Sequence, residues 1–218
     1  MRGSSQATRD NYRQLAEKVQ VLHSCHHAES CLDHPLDSKL KLGDGSITLG
    51  QLMTPSWRLP NLSDVFLSCC ETGLGLPEIT DDILTLSTGF LCAGARSVVS
   101  TLWAVNDLAT ALFSIFYYQH RQQGKSRPEA LRQAQIKLRQ LKRDDLADLA
   151  KQAEARQKEA IRERKQYQQG SVERLKWEHE YRMYDGVTRQ INLFKNFQNE
   201  FPFSDPCYWA AFTCQGLR

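Results

Sequence analysis

KVQVLHSC, residues 18–25, and DVFLSCC, residues 64–70, decide how this chain folds. The first is a short β-rich run. The second is nearly continuously apolar, as expected of a strand covered on both sheet faces. A third run of this kind, SVVSTLW, spans residues 97–103. Helical patterns lie before and between them. Residues 8–17 open the series. Leu40, Leu42 and Ile47 around Gly43-Asp44-Gly45 predict a hairpin, followed by a short helix over residues 48–53. Thr80, Asp81 and Asp82 predict the start of a helix that runs through Phe90 and Leu91 and stops at Gly94. Strands joined by helical crossovers imply an α/β fold with a mostly parallel sheet flanked by helices.

Two further helices carry clear end signals. Asn106 or Asp107 caps one that holds Leu108, Leu112, Ile115 and Phe116 on one face, with His120 and Arg121 in its last turn. Ser126 and Glu129 form a capping-box pattern around Pro128 and open a helix with Leu131, Ala134, Gln135 and Leu138. In parallel sheets the reactive groups gather beyond the carboxyl ends of the strands. That rule puts Cys25-His26-His27 at one strand end and Cys69-Cys70-Glu71-Thr72-Gly73 at another.

A histidine at one strand end and a cysteine at its neighbour's suit nucleophilic chemistry. A thiol attacks a carbonyl as thiolate, and an ordinary cysteine is mostly protonated at neutral pH. An imidazole beside it takes the proton and later returns it to the leaving amine. Gly73 and Gly75 leave backbone room for a substrate chain. Packing alone also accounts for a strand cysteine and a strand-end histidine.

VLHSCHH, VFLSCCETGLG, LSTGFLCAGARSVVSTLWAVND, ALRQAQ and FPFSDPCYWAAFTCQG, in this order and spacing, resemble the CHAT family. These are caspase-like cysteine peptidase domains, often joined to tetratricopeptide repeats and distantly similar to separase and the metacaspases. The resemblance runs from about residue 7 to the C-terminus. It implies a caspase-like sheet, His26 as general base and then acid, and Cys70 as nucleophile. It also implies an oxyanion site made by the backbone N–H groups of Cys70 and His27. Peptide bonds in protein substrates would be cleaved through a thioester, with no metal and no organic cofactor.

Three features depart from the family pattern. His27 stands where the family usually has Gly, which carries a steric cost if that glycine takes a positive φ. Cys69 replaces the usual Ala. The histidine strand begins near residue 18, whereas strands and helices precede it in relatives. The expectation is therefore a truncated, C-terminal portion of one domain over residues 1–218, with the N-terminal part of the sheet missing and one sheet edge open. Pockets in this fold are partly lined by the segment after the third strand, here WAVND at residues 103–107. Asp107 there suits either a pocket floor for a cleaved Arg or Lys, or a helix cap. Trp103 suits the core.

Composition sets the remaining bounds. The chain has 218 residues, enough for one domain and short for two. With 41% hydrophobic and 24% charged residues it should pack a core. No apolar run is long enough to span a membrane, and no apolar segment follows the N-terminal charges as in a secretory leader. The 7 cysteines, an odd number, point to free thiols and a cytoplasmic setting. A net charge of +3 calls for no nucleic acid.

Residues 142–190 are dense in Lys, Arg, Glu and Gln and read as a charged helical insertion. Trp177, Tyr181 and Tyr184 recur there at helical spacing. A solvated hairpin packed by that aromatic stripe is one reading, and a docking surface for an upstream repeat domain is another. Salt-sensitive nucleic-acid binding is a third. Cys25, His26, His27, Cys31 and His34 offer the alternative of a structural zinc module, at a spacing unlike the usual fingers. A catalytically inactive scaffold or interaction module is the other alternative. Partners expected are a protein or peptide substrate and an upstream repeat domain or regulatory protein.

Overall fold

The computed structural model describes residues 7–31, 33–68, 85–197 and 199–217. Four strands make the main sheet: β1 (Val21–Ser24), β5 (Asp64–Leu67), β6 (Ser97–Thr101) and β7 (Phe212–Gly216), in that spatial order. The first three are parallel, with His23 opposite Phe66 and Val65 opposite Val98. This is the α/β, mostly parallel arrangement expected from residues 18–25, 64–70 and 97–103, each strand being shorter than its apolar run. Among the described residues no strand pairs with the outer edge of β1. The fourth strand, β7, is antiparallel to β6. A small antiparallel sheet of β2 (Ala28–Glu29), β3 (Lys39–Leu42) and β4 (Gly45–Thr48) contains the expected hairpin, with Gly43-Asp44 as its turn.

Alternation along the strands divides the interior in two. Val65, Leu67 and Val98 face one side, where they join Tyr12 and Ala16 of α1 (Arg9–Ala16), Leu49 and Leu52 of α2 (Leu49–Leu52) and Phe90 of α3 (Leu86–Ala93). Phe66, Val99 and Phe212 face the other, under α4 (Asp107–Gln122) and α5 (Arg127–Arg139). There the Phe113 and Phe212 rings stack 3.6 Å apart. All of these core side chains are buried, and each Val, Leu and Phe among them is worth about 1.5–3 kcal/mol of transfer free energy.

Capping fixes the helix ends. Thr8 caps α1, and Thr48 with Gln51 completes a capping box on α2. Asn106 caps α4 by accepting from the N–H groups of Leu108 and Ala109. Ser126 accepts from the Glu129 N–H, while the Glu129 carboxylate turns to Gln133, so only half of the expected box forms. Gly94 ends α3 at φ 119°, and a Cβ there would lie 3.1 Å from the Leu59 carbonyl oxygen. The expected start of that helix at Thr80 to Asp82 lies outside the described residues. Within them the helix begins at Leu86, after Thr85.

The charged insertion is a helical hairpin of α6 (Asp145–Arg164) and α7 (Val172–Lys195), the second running five residues past the expected limit. Its seam on α6 is made of buried Leu146 and the small side chains of Ala150, Ala153 and Ala160, at spacings of four, three and seven. The aromatic stripe of α7 is only half-buried, with Arg164 of α6 lying 4.8 Å above the Tyr181 ring. Leu146, Ala150, Ala153, Ile191 and Phe194 join the hairpin's base to the core beneath α4 and α5. None of the described helices is long and apolar enough to cross a membrane.

Candidate functional site

The carboxyl ends of β1 and β5 meet at one edge of the sheet. Their register carries on past Ser24 and Leu67, because the Ser68 N–H donates to the Ser24 carbonyl at 2.9 Å. Residues that follow β1 therefore stand beside those that follow β5. Strand parity then sends successive side chains to opposite faces.

His23 and Cys25 share the face toward α4. The His23 ring packs 4.8 Å from Phe66 and 5.7 Å from Tyr118. Its Nε2 lies 2.6 Å from Ser68 Oγ, and the same hydroxyl hydrogen-bonds the Cys25 thiol. One hydroxyl thus links an imidazole on β1 to the thiol two residues on. Burial holds the His23 pKa below the ordinary histidine value, which favours the neutral ring. Cys25 sits at an exposed rim, yet the protein wall behind it pushes its pKa up, an effect the Ser68 bond opposes.

These side chains line a cavity of about 270 Å³ together with Thr101, Val105, Asp107, Thr110, Ala111 and Ser114. Asp107 reaches it because Asn106 supplies the helix cap, which leaves the Asp107 carboxylate free of that task. Of the two roles open to Asp107 in the sequence, the cap belongs to its neighbour. Trp103 packs partly buried against the core, and its Nε1–H donates to the Cys207 carbonyl.

His26 stands just beyond β1 on the other face. Its ring meets Tyr12 of α1 edge-on, with centroids 5.7 Å apart, and Tyr12 is anchored by a hydroxyl bond to the buried Ser24. Burial lowers the His26 pKa, which again favours the neutral base. The His27 carbonyl accepts from the Lys41 N–H at 2.7 Å, tying this loop to the small sheet. No described non-glycine residue has a positive φ, so His27 avoids the steric cost anticipated for a side chain in place of glycine. Cys70 lies outside the described residues, as do Cys69, Glu71, Thr72, Gly73 and Gly75.

The resemblance points to His26 and Cys70 and leaves His23 and Cys25 as their motif neighbours, with Ser68 unremarked. The i, i+2 relation of His23 and Cys25 on a strand was the available signal that they share a face. Cys25, Cys31, Cys92, Cys207 and Cys214 are free thiols. Among the described residues no three His, Cys, Asp or Glu side chains gather to hold a metal ion, so Cys25, His26, His27, Cys31 and His34 do not form a zinc cluster.

Comparison with known sequences adds one finding. No curated protein matches the chain. The family model for the CHAT domain matches residues 2–217, nearly the whole sequence, in keeping with the α/β sheet and the strand-end histidine described above. The chain belongs to the CHAT domain family.

Proposed function

We propose that this CHAT domain is a cysteine endopeptidase, with Cys70 as nucleophile and His26 as general base and then acid. The CHAT family is related to caspase-like peptidases. The observation that carries the reading is the parallel pairing of β1 with β5, continued by the Ser68 to Ser24 bond, which sets residue 26 at the sheet edge that the chain reaches just before Cys70.

In the proposed reaction His26 accepts the thiol proton and the thiolate attacks the peptide carbonyl carbon. The oxyanion takes hydrogen bonds from the backbone N–H groups of Cys70 and His27. His26 passes its proton to the departing amine as the C–N bond breaks, leaving a thioester that water hydrolyses. A neutral, partly buried imidazole suits the first step. The cavity walled by Asp107, Val105 and Ala111 suits the side chain of the cleaved residue, with Asp107 favouring Lys or Arg. Protein chains are the proposed substrates, and an upstream repeat domain or regulatory protein the proposed activator.

A second reading has its own observation. His23, rather than His26, lines the cavity and hydrogen-bonds Ser68, which favours His23 as the proton acceptor. One experiment separates the readings: cleavage of fluorogenic peptides with Lys, Arg or Glu before the scissile bond, by wild type, Cys70→Ala, His26→Ala and His23→Ala. The proposal expects no cleavage by Cys70→Ala and a loss of about a thousandfold in His26→Ala, with His23→Ala close to wild type. Loss in His23→Ala alone favours the second reading. Undiminished cleavage by Cys70→Ala overturns both.

A further inference from the structure

Helix α5 and its approach to α6 are strongly cationic: Arg127, Arg132, Lys137, Arg139, Lys142 and Arg143 occur with Glu129 as the lone acid between residues 127 and 143. Most of these cations have a task. Arg127 pairs with Asp64, Lys142 with Glu200, and Arg143 donates to the Phe197 carbonyl. Lys137 lies over the Phe116 ring and donates to Gln119. Arg132 and Arg139 are exposed and make no ion pair among the described residues. These two line a surface depression of about 280 Å³ with Gln135, Ile136 and Trp209, and among the described residues no carboxylate shares its wall.

The depression has a defined spacing. Arg132 and Arg139 are seven residues apart, two helical turns, so they share a face at about 10 Å separation. That distance is too long for one phosphate or one carboxylate to bridge. It matches three residues of a polyproline-II peptide, which advances about 9 Å per turn and returns its side chains to the same side every third position. Between the arginines lie Ile136 and the Trp209 indole, whose ring already has the Arg139 guanidinium 5.6 Å from its centroid. Trp209 is held by its Nε1–H bond to the Ser204 carbonyl, and Gln135 clamps the Trp209 and Phe212 carbonyls with its amide. The floor is therefore fixed before any ligand arrives.

We infer that this face of α5 binds a peptide segment in polyproline-II conformation bearing two acidic residues three positions apart, with an aliphatic side chain between them. Each arginine takes a carboxylate in a forked, charge-assisted pair, and the aliphatic group covers Ile136 and the indole edge. The inference is independent of the reading of Cys70, since the depression is lined by α5 and the segment before β7.

Fluorescence anisotropy tests it on the full chain. The probe is a fluorescein-labelled peptide with glutamates three apart and a leucine between. Its controls are the same peptide with lysines for glutamates, and adenosine monophosphate as competitor. Binding of the glutamate peptide should weaken about tenfold for each of Arg132→Gln and Arg139→Gln. Lys158→Gln and Lys165→Gln, each of which removes one charge from the exposed side of the helical hairpin, should leave it unchanged. Equal weakening by that control pair would reduce the effect to net charge and overturn the inference. So would failure of the glutamate peptide to bind better than the lysine peptide. Displacement by the nucleotide at lower concentration than by unlabelled peptide would overturn the ligand class.

Discussion

Replacing Ser68 by alanine removes the hydroxyl between His23 Nε2 and the Cys25 thiol, and the consequence has a definite sign. Burial raises the Cys25 pKa, and the Ser68 hydrogen bond works against that by stabilising the thiolate. Without the bond the thiolate is disfavoured further, so less is present at neutral pH. A hydrogen bond to a charged group is worth about 1.5–3 kcal/mol when shielded. Cys25 lies at the exposed rim of the cavity, so water replaces part of the lost bond and about 1 kcal/mol remains. That corresponds to about fivefold slower alkylation of Cys25 by iodoacetamide at pH 7, converging toward the wild-type rate at high pH. Mass spectrometry of the fragment holding Cys25, across a pH series, gives the rate for that residue alone. An unchanged profile, or faster alkylation in Ser68→Ala, would refute the claim that one hydroxyl couples β5 to the cavity thiol.

Three further outcomes follow from the same geometry. The side chains of Arg127 and Asp64 are only 13% and 19% exposed, so removing one partner strands a charge. Arg127→Met or Asp64→Leu should each cost about 2–3 kcal/mol in urea unfolding, while the double variant falls within about 1 kcal/mol of wild type. Both His23 and His26 have pKa values lowered by burial, so the unfolded chain takes up protons first as pH falls. Stability should therefore be unaffected by these groups above the ordinary histidine pKa and decline as pH drops through it. Urea midpoints at pH 8 and pH 5.5 should differ less in His23→Gln and His26→Gln. Asp107→Asn should lower kcat/KM for fluorogenic peptides with Lys or Arg at the cleaved position about tenfold and leave neutral side chains unaffected, which would narrow the charge preference. An equal loss for all substrates would assign Asp107 to structure rather than to selectivity.

The parallel sheet was legible because β5 and β6 carry buried apolar residues on both faces and, with β1, stand between helices with strong end signals. Thr8, Thr48, Asn106, Ser126 and Gly94 each act at the boundary their residue type suggests. Strand β7 was not legible. FTCQG alternates over only five residues, and its place in the sheet comes from the partner it finds in β6. It ends on Gly216, where a Cβ would stand 2.3 Å from the Arg96 carbonyl oxygen, a close approach that appears only once the chain is folded. Strand β2 has two residues and exists through its pairing with β3. The hairpin's charged composition hid the seam along α6, because alanines at heptad-like spacing carry little hydrophobic signal. At the site, the family resemblance drew attention to His26, while strand parity set His23 and Cys25 into the cavity.

The central claim is that His26 and Cys70 form one reacting pair. A crystal structure of the chain with a peptidyl ketone bonded covalently to Cys70 measures it directly. The account predicts the His26 ring within about 4 Å of the sulfur or of the departing-group position. A His26 ring still packed on Tyr12 and more than about 12 Å from the sulfur, or an adduct that forms on another cysteine, would contradict it.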